Sequence, residues 1–460
     1  MTERSRRRAL ARLARLLGGQ KLETTPEVLA CYAFDATNIR CRPFAVAFPE
    51  GTADIQVLMR MCEEAELPVI PRGAGTGFAG GTVPLHGGVV ISTERLARII
   101  SVERDGRLAV VEPGVVNARL QAEAGKVGLM FPPDPSSLGV STLGGNVAQD
   151  AGGPRALKYG VTRDYVLGVD AVLAGGHLVE SNWRNAGWDP VSILLVGSEG
   201  TLGFITRIYL RLVAKPEAFA TVLAFFESTH DAAAAVNRIF AAGVLPAAVE
   251  LIDADTMASI TSFARLDVPN RAGCSLLVET DGEAVEAREM MAAVEEAIKA
   301  ERPVELRLAA SEIERQELWR MRRAVSPALA RIAPWKINED VCVPRSNLPA
   351  LVDAVRLLGQ KHSLRVPTFG HAGDGNLHVN IMFDTRDKDQ VRRAEALAAD
   401  LFEATLRLSG SISGEHGIGL TKMPYLAGQL GPDVIRLSEH IKHVFDPRGI
   451  VNPGKVIGDA

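Results

Sequence analysis

At 460 residues the chain is too long for one hydrophobic core, so two domains, or three, are expected. Its 47% hydrophobic and 23% charged residues are ordinary for a globular protein, and a net charge of −4 argues against a nucleic-acid binder. No apolar run reaches the roughly 18 residues of a membrane span. The cysteines (Cys31, Cys41, Cys62, Cys274, Cys342) show no C-x-x-C spacing, which excludes an iron–sulfur run or zinc ribbon and reads as reduced thiols.

Arg4, Arg6, Arg7, Arg8, Arg12 and Arg15 crowd the start of the chain, with Leu10, Leu13, Leu16 and Leu17 on one helical face. An amphipathic helix follows. An organelle presequence or a membrane-surface anchor would look like this. The stronger expectation is a solvated basic face on a helix packed against the body. No secretory apolar region follows, so export is not expected.

From about 45 to 215, short β-branched runs (45–48, 69–71, 89–92, 109–111, 167–173, 205–213) alternate with Gly/Pro-rich turns and with helical stretches at 52–66 and 116–127. Lys215-Pro216 marks a change of texture. Beyond it, strands at 218–226, 248–252, 274–279 and 304–308 alternate with helices at 230–242, 283–301, 311–331 and 394–409. The fold class is α+β, with a first domain over 1–215, a second over 216–444, and the turn-rich 445–460 returning to the first.

Residues 71–84 read Pro-Arg-Gly-Ala-Gly-Thr-Gly-Phe-Ala-Gly-Gly-Thr-Val-Pro. Gly75-Thr-Gly-Phe-Ala-Gly80 matches the dinucleotide fingerprint G-x-G-x-x-G, which has meaning only where it opens a helix. Gly81, Pro84, Gly87 and Gly88 forbid that helix, so the Rossmann reading fails. A run of small residues can still turn successive amide N–H groups toward an anion; otherwise it is a long turn between strands.

Further segments join it: Phe131-Pro-Pro-Asp-Pro-Ser-Ser137, Ser141-Thr-Leu-Gly-Gly-Asn-Val-Ala148, Gly152-Gly153, Lys158-Tyr-Gly160, Gly197-Ser-Glu-Gly-Thr-Leu-Gly-Phe-Ile-Thr206 and Asp446-Pro-Arg-Gly-Ile-Val-Asn-Pro-Gly-Lys455. In this order and spacing, over nearly the whole chain, they resemble the vanillyl-alcohol oxidase/p-cresol methylhydroxylase (PCMH) superfamily. Within it the chain looks like the FAD-linked D-2-hydroxyacid dehydrogenases: D-lactate and D-2-hydroxyglutarate dehydrogenases and the catalytic subunit of glycolate oxidase. The resemblance implies a PCMH-type FAD-binding domain and an α+β cap domain with an antiparallel sheet, which binds substrate. It implies that Arg72, Gly73, Ala74, Gly75, Thr76, Gly77, Gly80 and Gly81 hold the pyrophosphate. Pro133, Asp134, Ser136, Ser141, Thr142, Gly145, Asn146 and Ala148 would line the flavin and ribityl chain, and Glu199, Gly203, Ile205 and Asn452 would complete the pocket. No histidine lies between 71 and 85, so FAD is expected to be held without a covalent bond.

Three histidines stand in glycine-rich company, in Gly370-His-Ala-Gly-Asp-Gly-Asn-Leu-His-Val-Asn380 and Ser413-Gly-Glu-His-Gly-Ile-Gly419. Gly373-Asp374-Gly375 reads as a turn between two strands, which would bring His371 and His378 to one end of a hairpin. With Glu415 they suit Zn²⁺ or Mn²⁺ with open positions, or they simply hydrogen-bond. The resemblance implies the metal. Its use would be to acidify an alcohol: coordination can lower the pKa of water from 15.7 to about 7. At about 1.36 kcal/mol per unit, that is an upper limit of ~11 kcal/mol. His416 is the candidate base, against a structural histidine in a Gly-rich turn. A carboxylate substrate needs a cation. The family pattern places it at Arg322 and Lys336, with Asn380 beside the substrate; Arg320 and Arg323 share the helix with Arg322.

The expected reaction is FAD-dependent oxidation of a small D-2-hydroxy acid (D-lactate, glycolate or D-2-hydroxyglutarate type) to the 2-keto acid. The alternatives are a redox-neutral transferase of the alkylglycerone-phosphate synthase type and a flavin subunit that only passes electrons. Oxygen, a quinone, a cytochrome, an electron-transferring flavoprotein or an iron–sulfur subunit would accept the electrons. A cytoplasmic location is expected, with attachment to the inner face of the membrane and homodimerisation left open.

Overall fold

The computed structural model describes residues 2–18, 20–186, 189–264 and 267–458. They form two compact units: unit 1 is Met1–Gly152, Val161–Lys215 and Glu415–Ala460, and unit 2 is Gly153–Gly160 and Pro216–Gly414.

Unit 1 opens with the Glu3–Leu17 helix, capped by the Thr2 hydroxyl accepting from the Ser5 amide at 3.3 Å. Leu13 and Leu17 are buried in the cluster that holds Ile55, Leu58, Met59 and Cys62, while Leu16 stays exposed. The helix therefore packs on the body and leaves Arg4, Arg7, Arg8, Arg12 and Arg15 in solvent. Four strands, β1 (Leu22–Glu23), β2 (Ala45–Ala47), β3 (Val69–Arg72) and β4 (Val89–Ser92), form a sheet of order β1-β2-β4-β3. β2, β4 and β3 are parallel, and the Thr52–Glu64 helix links β2 to β3. The glycine run, residues 73–88, joins parallel β3 to β4 with no helix in it, so the fingerprint is indeed a non-Rossmann loop. The second sheet is antiparallel, of order β5-β6-β10-β8-β9: β5 (Ile99–Glu103), β6 (Leu108–Val111), β8 (Val166–Val172), β9 (Leu178–Val179) and β10 (Phe204–Arg211). A short pair, β7 (Leu129–Met130) and β11 (Val213–Ala214), lies beside it in the chain.

Unit 2 is built on one antiparallel sheet of seven strands: β12 (Ala218–Phe226), β13 (Ala248–Ile252), β14 (Cys274–Gly282), β15 (Glu305–Leu308), β16 (Trp335–Cys342), β17 (Thr368–His371) and β18 (Asn376–Phe383). Its order is β15-β12-β14-β13-β17-β18-β16. Strands β13, β14 and β18 are buried along nearly their whole length, as a sheet covered on both faces requires. Leu223, Phe225, Ile252, Leu277 and Phe369 meet Met257, Ile260, Met321, Val325 and Leu329 from three helices on one face. The helix expected over 311–331 is two, Glu312–Arg323 and Val325–Leu329. Pro327 lacks an amide and its ring opposes the carbonyl of residue 323, which ends the first helix there.

The division differs from the expected 215/445 boundaries at two places. The return to unit 1 opens at Glu415, because the Glu199 carboxylate accepts the amide N–H groups of Ile418 at 2.7 Å and Gly419 at 2.9 Å. Residues 153–160 go with unit 2, where Lys158 and Tyr159 both bond to the buried Asp281 carboxylate.

Candidate functional site

In unit 1, loop 73–88 is packed onto the start of the Leu143–Gln149 helix. A Cβ on Gly73 would sit 2.3 Å from the Thr142 hydroxyl oxygen, the oxygen that caps this helix by accepting from the Gly145 amide. Gly75 holds φ +69°, and a Cβ there would strike the Arg72 guanidinium at 2.3 Å. Only glycine meets both demands. Arg72 itself is buried and acts from inside the loop: Nη1 donates to the Phe34 carbonyl at 2.8 Å and to the Thr82 hydroxyl at 3.2 Å. Burial pulls its pKa below the ordinary arginine value, against the raising effect of Asp35. Gly77, by contrast, faces open space, and Ala74 is exposed.

The remaining residues expected around the flavin divide into struts and orphans. Asn452 is a strut: its Nδ2 donates to the carbonyls of Gly81 and Glu199, both at 2.9 Å. Glu199 carries positive φ, donates its amide to Ala148 and grips the 418–419 segment; burial raises its carboxyl pKa against those amides and Lys422. Gly80 and Gly81 are buried, Thr76 is half-buried, and Gly203 and Ile205 are packed inside around β10. The Pro133 carbonyl accepts from Asn117, Asp134 is half-buried and Ser136 is exposed. Ser141 and Asn146 behave otherwise. The Ser141 hydroxyl and both polar atoms of the Asn146 side chain are buried and have no hydrogen-bond partner among the described residues. A buried polar group left unmade costs about 1–3 kcal/mol, so these atoms fit a polar ligand such as a flavin and its ribityl chain.

The Glu415–Gly419 turn belongs to this unit. A Cβ on Gly419 would sit 2.0 Å from the Ala79 carbonyl, and one on Gly417 2.7 Å from Glu199, so the segment lies flat against the glycine loop. His416 stacks at 5.0 Å on Phe78, and Glu415 and His416 are both half-buried.

In unit 2 the pleat decides which side chains meet. Residues paired across strands share a face and every second residue returns to it. Register pairs Glu250 with His371, Phe369 with His378, Asn380 with Asn338, and Met382 with Lys336. Glu250, His371, His378, Asn380 and Lys336 therefore share one face, the face on which Phe369 packs against the 312–323 helix residue Met321. The hairpin exists as expected, with β17 and β18 joined through 372–375, and the two imidazoles stand edge to face with centroids 5.2 Å apart.

Of the three arginines at the end of the Glu312–Arg323 helix, Arg320 and Arg323 bond at the surface and Arg322 alone is buried. Its Nε donates to Glu250 Oε2, its guanidinium carbon lies 4.7 Å over the Phe369 ring, and its Nη2 has no partner among the described residues. Lys336 Nζ donates to Asn380 Oδ1 at 3.2 Å, and Asn380 Nδ2 is oriented by the carbonyls of Pro367 and His378. Burial lowers the Lys336 pKa. Glu250 is a residue that motif reading passes over, because it stands alone in an apolar run. It is fully buried and also accepts from His371 Nδ1 at 2.5 Å. Burial alone would raise its pKa, but His371 and Arg322 outweigh burial and hold it at about 2. An ionised acid inside an apolar β13 was the available signal.

Comparison with known proteins identifies the family. Residues 43–182 match the FAD binding domain and residues 215–456 the C-terminal domain of FAD linked oxidases. The chain is 40% identical over 430 residues to glycolate oxidase subunit GlcD of Bacillus subtilis (strain 168), covering 92% of this chain and 91% of the relative. It is 32% identical over 429 residues to a D-lactate dehydrogenase of Anaerostipes hadrus (91% and 90% covered). Against a D-2-hydroxyglutarate dehydrogenase of Stutzerimonas stutzeri (strain A1501) it is 32% identical over 447 residues (95% and 96% covered). Among solved structures, substrate-bound p-cresol methylhydroxylase superposes with a TM-score of 0.81 at 16% identity (100% and 98% covered). An alkyldihydroxyacetonephosphate synthase superposes with a TM-score of 0.77 at 18% identity (97% and 84% covered). At those identities they establish the fold alone. The glycine cradle of unit 1, the sheet of unit 2 and the two matches together place this chain among the FAD-linked oxidases: it is a flavoprotein oxidoreductase with a PCMH-type FAD-binding domain.

Proposed function

We propose that the protein oxidises a small D-2-hydroxy acid to the 2-keto acid. The observation that carries the reading is the buried Arg322, whose Nη2 has no partner among the described residues and which shares a sheet face with His371, His378, Asn380 and Lys336. A desolvated guanidinium with a free N–H edge is built for a carboxylate. The relatives named for glycolate, D-lactate and D-2-hydroxyglutarate are three hydroxy-acid enzymes, which supports the same class.

FAD would supply the hydride acceptor, and a divalent ion, Zn²⁺ or Mn²⁺, would acidify the substrate hydroxyl. FAD would be held without a covalent bond by 72–77 with Gly80 and Gly81, by Pro133, Asp134 and Ser136, by Ser141, Thr142, Gly145, Asn146 and Ala148, and by Glu199, Gly203, Ile205 and Asn452. The ion would be held by His371, His378 and Glu415, a donor set of two imidazoles and one carboxylate that suits either metal. Arg322 and Lys336 would bind the substrate carboxylate, Asn380 would orient it, and His416 would take the hydroxyl proton. The electrons would leave to a quinone, a cytochrome, an electron-transferring flavoprotein or an iron–sulfur partner, since the dispersed cysteines provide no cluster ligands of the chain's own. None of the described helices is long and apolar enough to cross a membrane.

A panel of D- and L-2-hydroxy acids, added anaerobically with and without chelator, tests this. D-Acids should bleach the flavin and chelator should slow the bleaching. A flavin left oxidised by every acid overturns the reading.

A further inference from the structure

Glu250 touches both halves of the proposed chemistry through charged hydrogen bonds. Its Oε1 accepts from His371 Nδ1 at 2.5 Å, and its Oε2 accepts from Arg322 Nε. All three side chains are buried, so water competes for none of these bonds. Being a carboxylate, Glu250 can only accept, which places a His371 proton on Nδ1 and makes Nε2 the ring atom that would meet an ion. The same carboxylate takes up Nε of Arg322 and, with the Phe369 ring under the guanidinium, leaves Nη2 as the edge available to a substrate carboxylate.

We infer that Glu250 is a positioning residue that couples the two: through it, the state of Arg322 sets the ligand strength of His371, and the state of His371 sets the aim of Arg322. The inference rests on the function proposed above. Its physical content is that one carboxylate shares its charge between two donors. Arg322 draws electron density from Glu250 and weakens its hold on the His371 proton. Taking the guanidinium away makes Glu250 a stronger acceptor and His371 a stronger ligand. A substrate carboxylate that binds Nη2 neutralises the guanidinium in part and acts in the same direction, so substrate and ion would favour one another; such coupling is reciprocal by necessity. The amide of a Glu250→Gln variant cannot serve both partners, because it has one acceptor oxygen where two are needed, and its NH₂ would face a donor.

The test is the zinc affinity of the FAD-loaded, substrate-free protein, measured by chelator competition in wild type, E250Q, Arg322→Met and the double variant. With no substrate present, Arg322 has no route to the ion through a bound hydroxy acid. E250Q should weaken zinc roughly 10–100-fold, the usual effect of losing a ligand's supporting carboxylate. R322M should tighten zinc by about 5-fold or more, within the usual span of coupling. In the E250Q background that tightening should vanish. Arg322→Lys separates a bond from a field. It keeps the positive charge but loses the guanidinium fork, so zinc affinity should still shift, and this variant serves if either of the others does not fold. In parallel, E250Q should raise the KM for a D-2-hydroxy acid as well as lower kcat.

An R322M change that persists undiminished in E250Q shows plain charge repulsion and overturns the coupling, as does unchanged zinc affinity in both R322M and R322K. Wild type that takes up no zinc, manganese or other divalent ion overturns the metal assignment and this inference with it. That outcome is distinct from tight wild-type binding with no coupling in the cycle.

Discussion

The two units handle a ligand's polar demands in opposite ways. Unit 1 offers backbone and small residues: Gly73 and Gly75 bring the chain against Thr142 and Arg72, and beside them the Ser141 hydroxyl and the Asn146 amide are buried, neutral and without a partner among the described residues. Unit 2 offers charge. Glu250 is shared between Arg322 and His371, and Glu279, on the same face of the sheet, is gripped by Arg315 and bonded by Trp319 and Thr221. Neutral orphans cost less than an unpaired charge and can wait for a ligand. A buried ion must be paired from the outset. A cradle for a large cofactor can thus be open and unfinished, while a site for a small anion has to be assembled before the anion arrives.

The sharpest way to break this contrast is to remove a cation. Arg322→Leu leaves Glu250 with His371 alone and should cost about 3–5 kcal/mol of unfolding free energy, read in urea, besides abolishing hydroxy-acid bleaching. A loss under 1 kcal/mol would mean that the charge is not held as described. In unit 1 the corresponding attack is steric. Gly73→Ala drives a methyl into the Thr142 oxygen and should cost about 1–3 kcal/mol, seen as lost FAD retention and a lower melting temperature. Gly77→Ala meets nothing within 4 Å and should leave the FAD-free protein as stable as before. Should it nonetheless weaken FAD, the open space belongs to the cofactor.

Asp253 tests what an acid of unit 2 does without a partner of opposite charge. Among the described residues no cation bonds to it; burial pushes its pKa up to about 7, against hydrogen bonds from Thr256 and Thr368. Unfolded, it ionises near 4. Between those values the folded state holds the extra proton, so stability falls as pH rises from about 4 to 7 and stays reduced above. Because the side chain is only partly shielded from solvent, about 1–2 kcal/mol is expected of the roughly 4 that the full shift would give. Asp253→Asn should remove this slope and be the more stable form at pH 8. Equal denaturation midpoints at pH 5 and pH 8, relative to wild type, would refute it. The smallest effect has opposite signs in its two readouts. Asn146→Leu should stabilise the FAD-free protein by about 1 kcal/mol, by removing an unmet amide, while weakening FAD.

Local chemistry made much of this legible in the linear chain. Strands such as 69–72 and 89–92 lie where β-branched runs placed them, and the loop at 73–88 has no helix because its glycines and Pro84 forbid one. The Gly373-Asp374-Gly375 turn and the meeting of His371 with His378 follow from spacing over a few residues. What was missed is non-local. Nothing around Pro216 or 445 announces that Glu415–Gly419 is held by Glu199, more than two hundred positions earlier.

Composition and short-range pattern by themselves determined the class of fold, the glycine loop and the histidine hairpin, because each depends on what a residue does to its own backbone or to one a few positions away; the flavin came from the resemblance of several ordered segments to a known family. Tertiary structure alone decided which acid receives Arg322, the arginine of three that the resemblance had singled out. Arg322 and Glu250 are 72 residues apart and meet only because strand register carries one face of β13 beneath one turn of a distant helix. A charge is stable inside a protein only where its partner is, and that address is written in the pairing of strands, not in the neighbours along the chain.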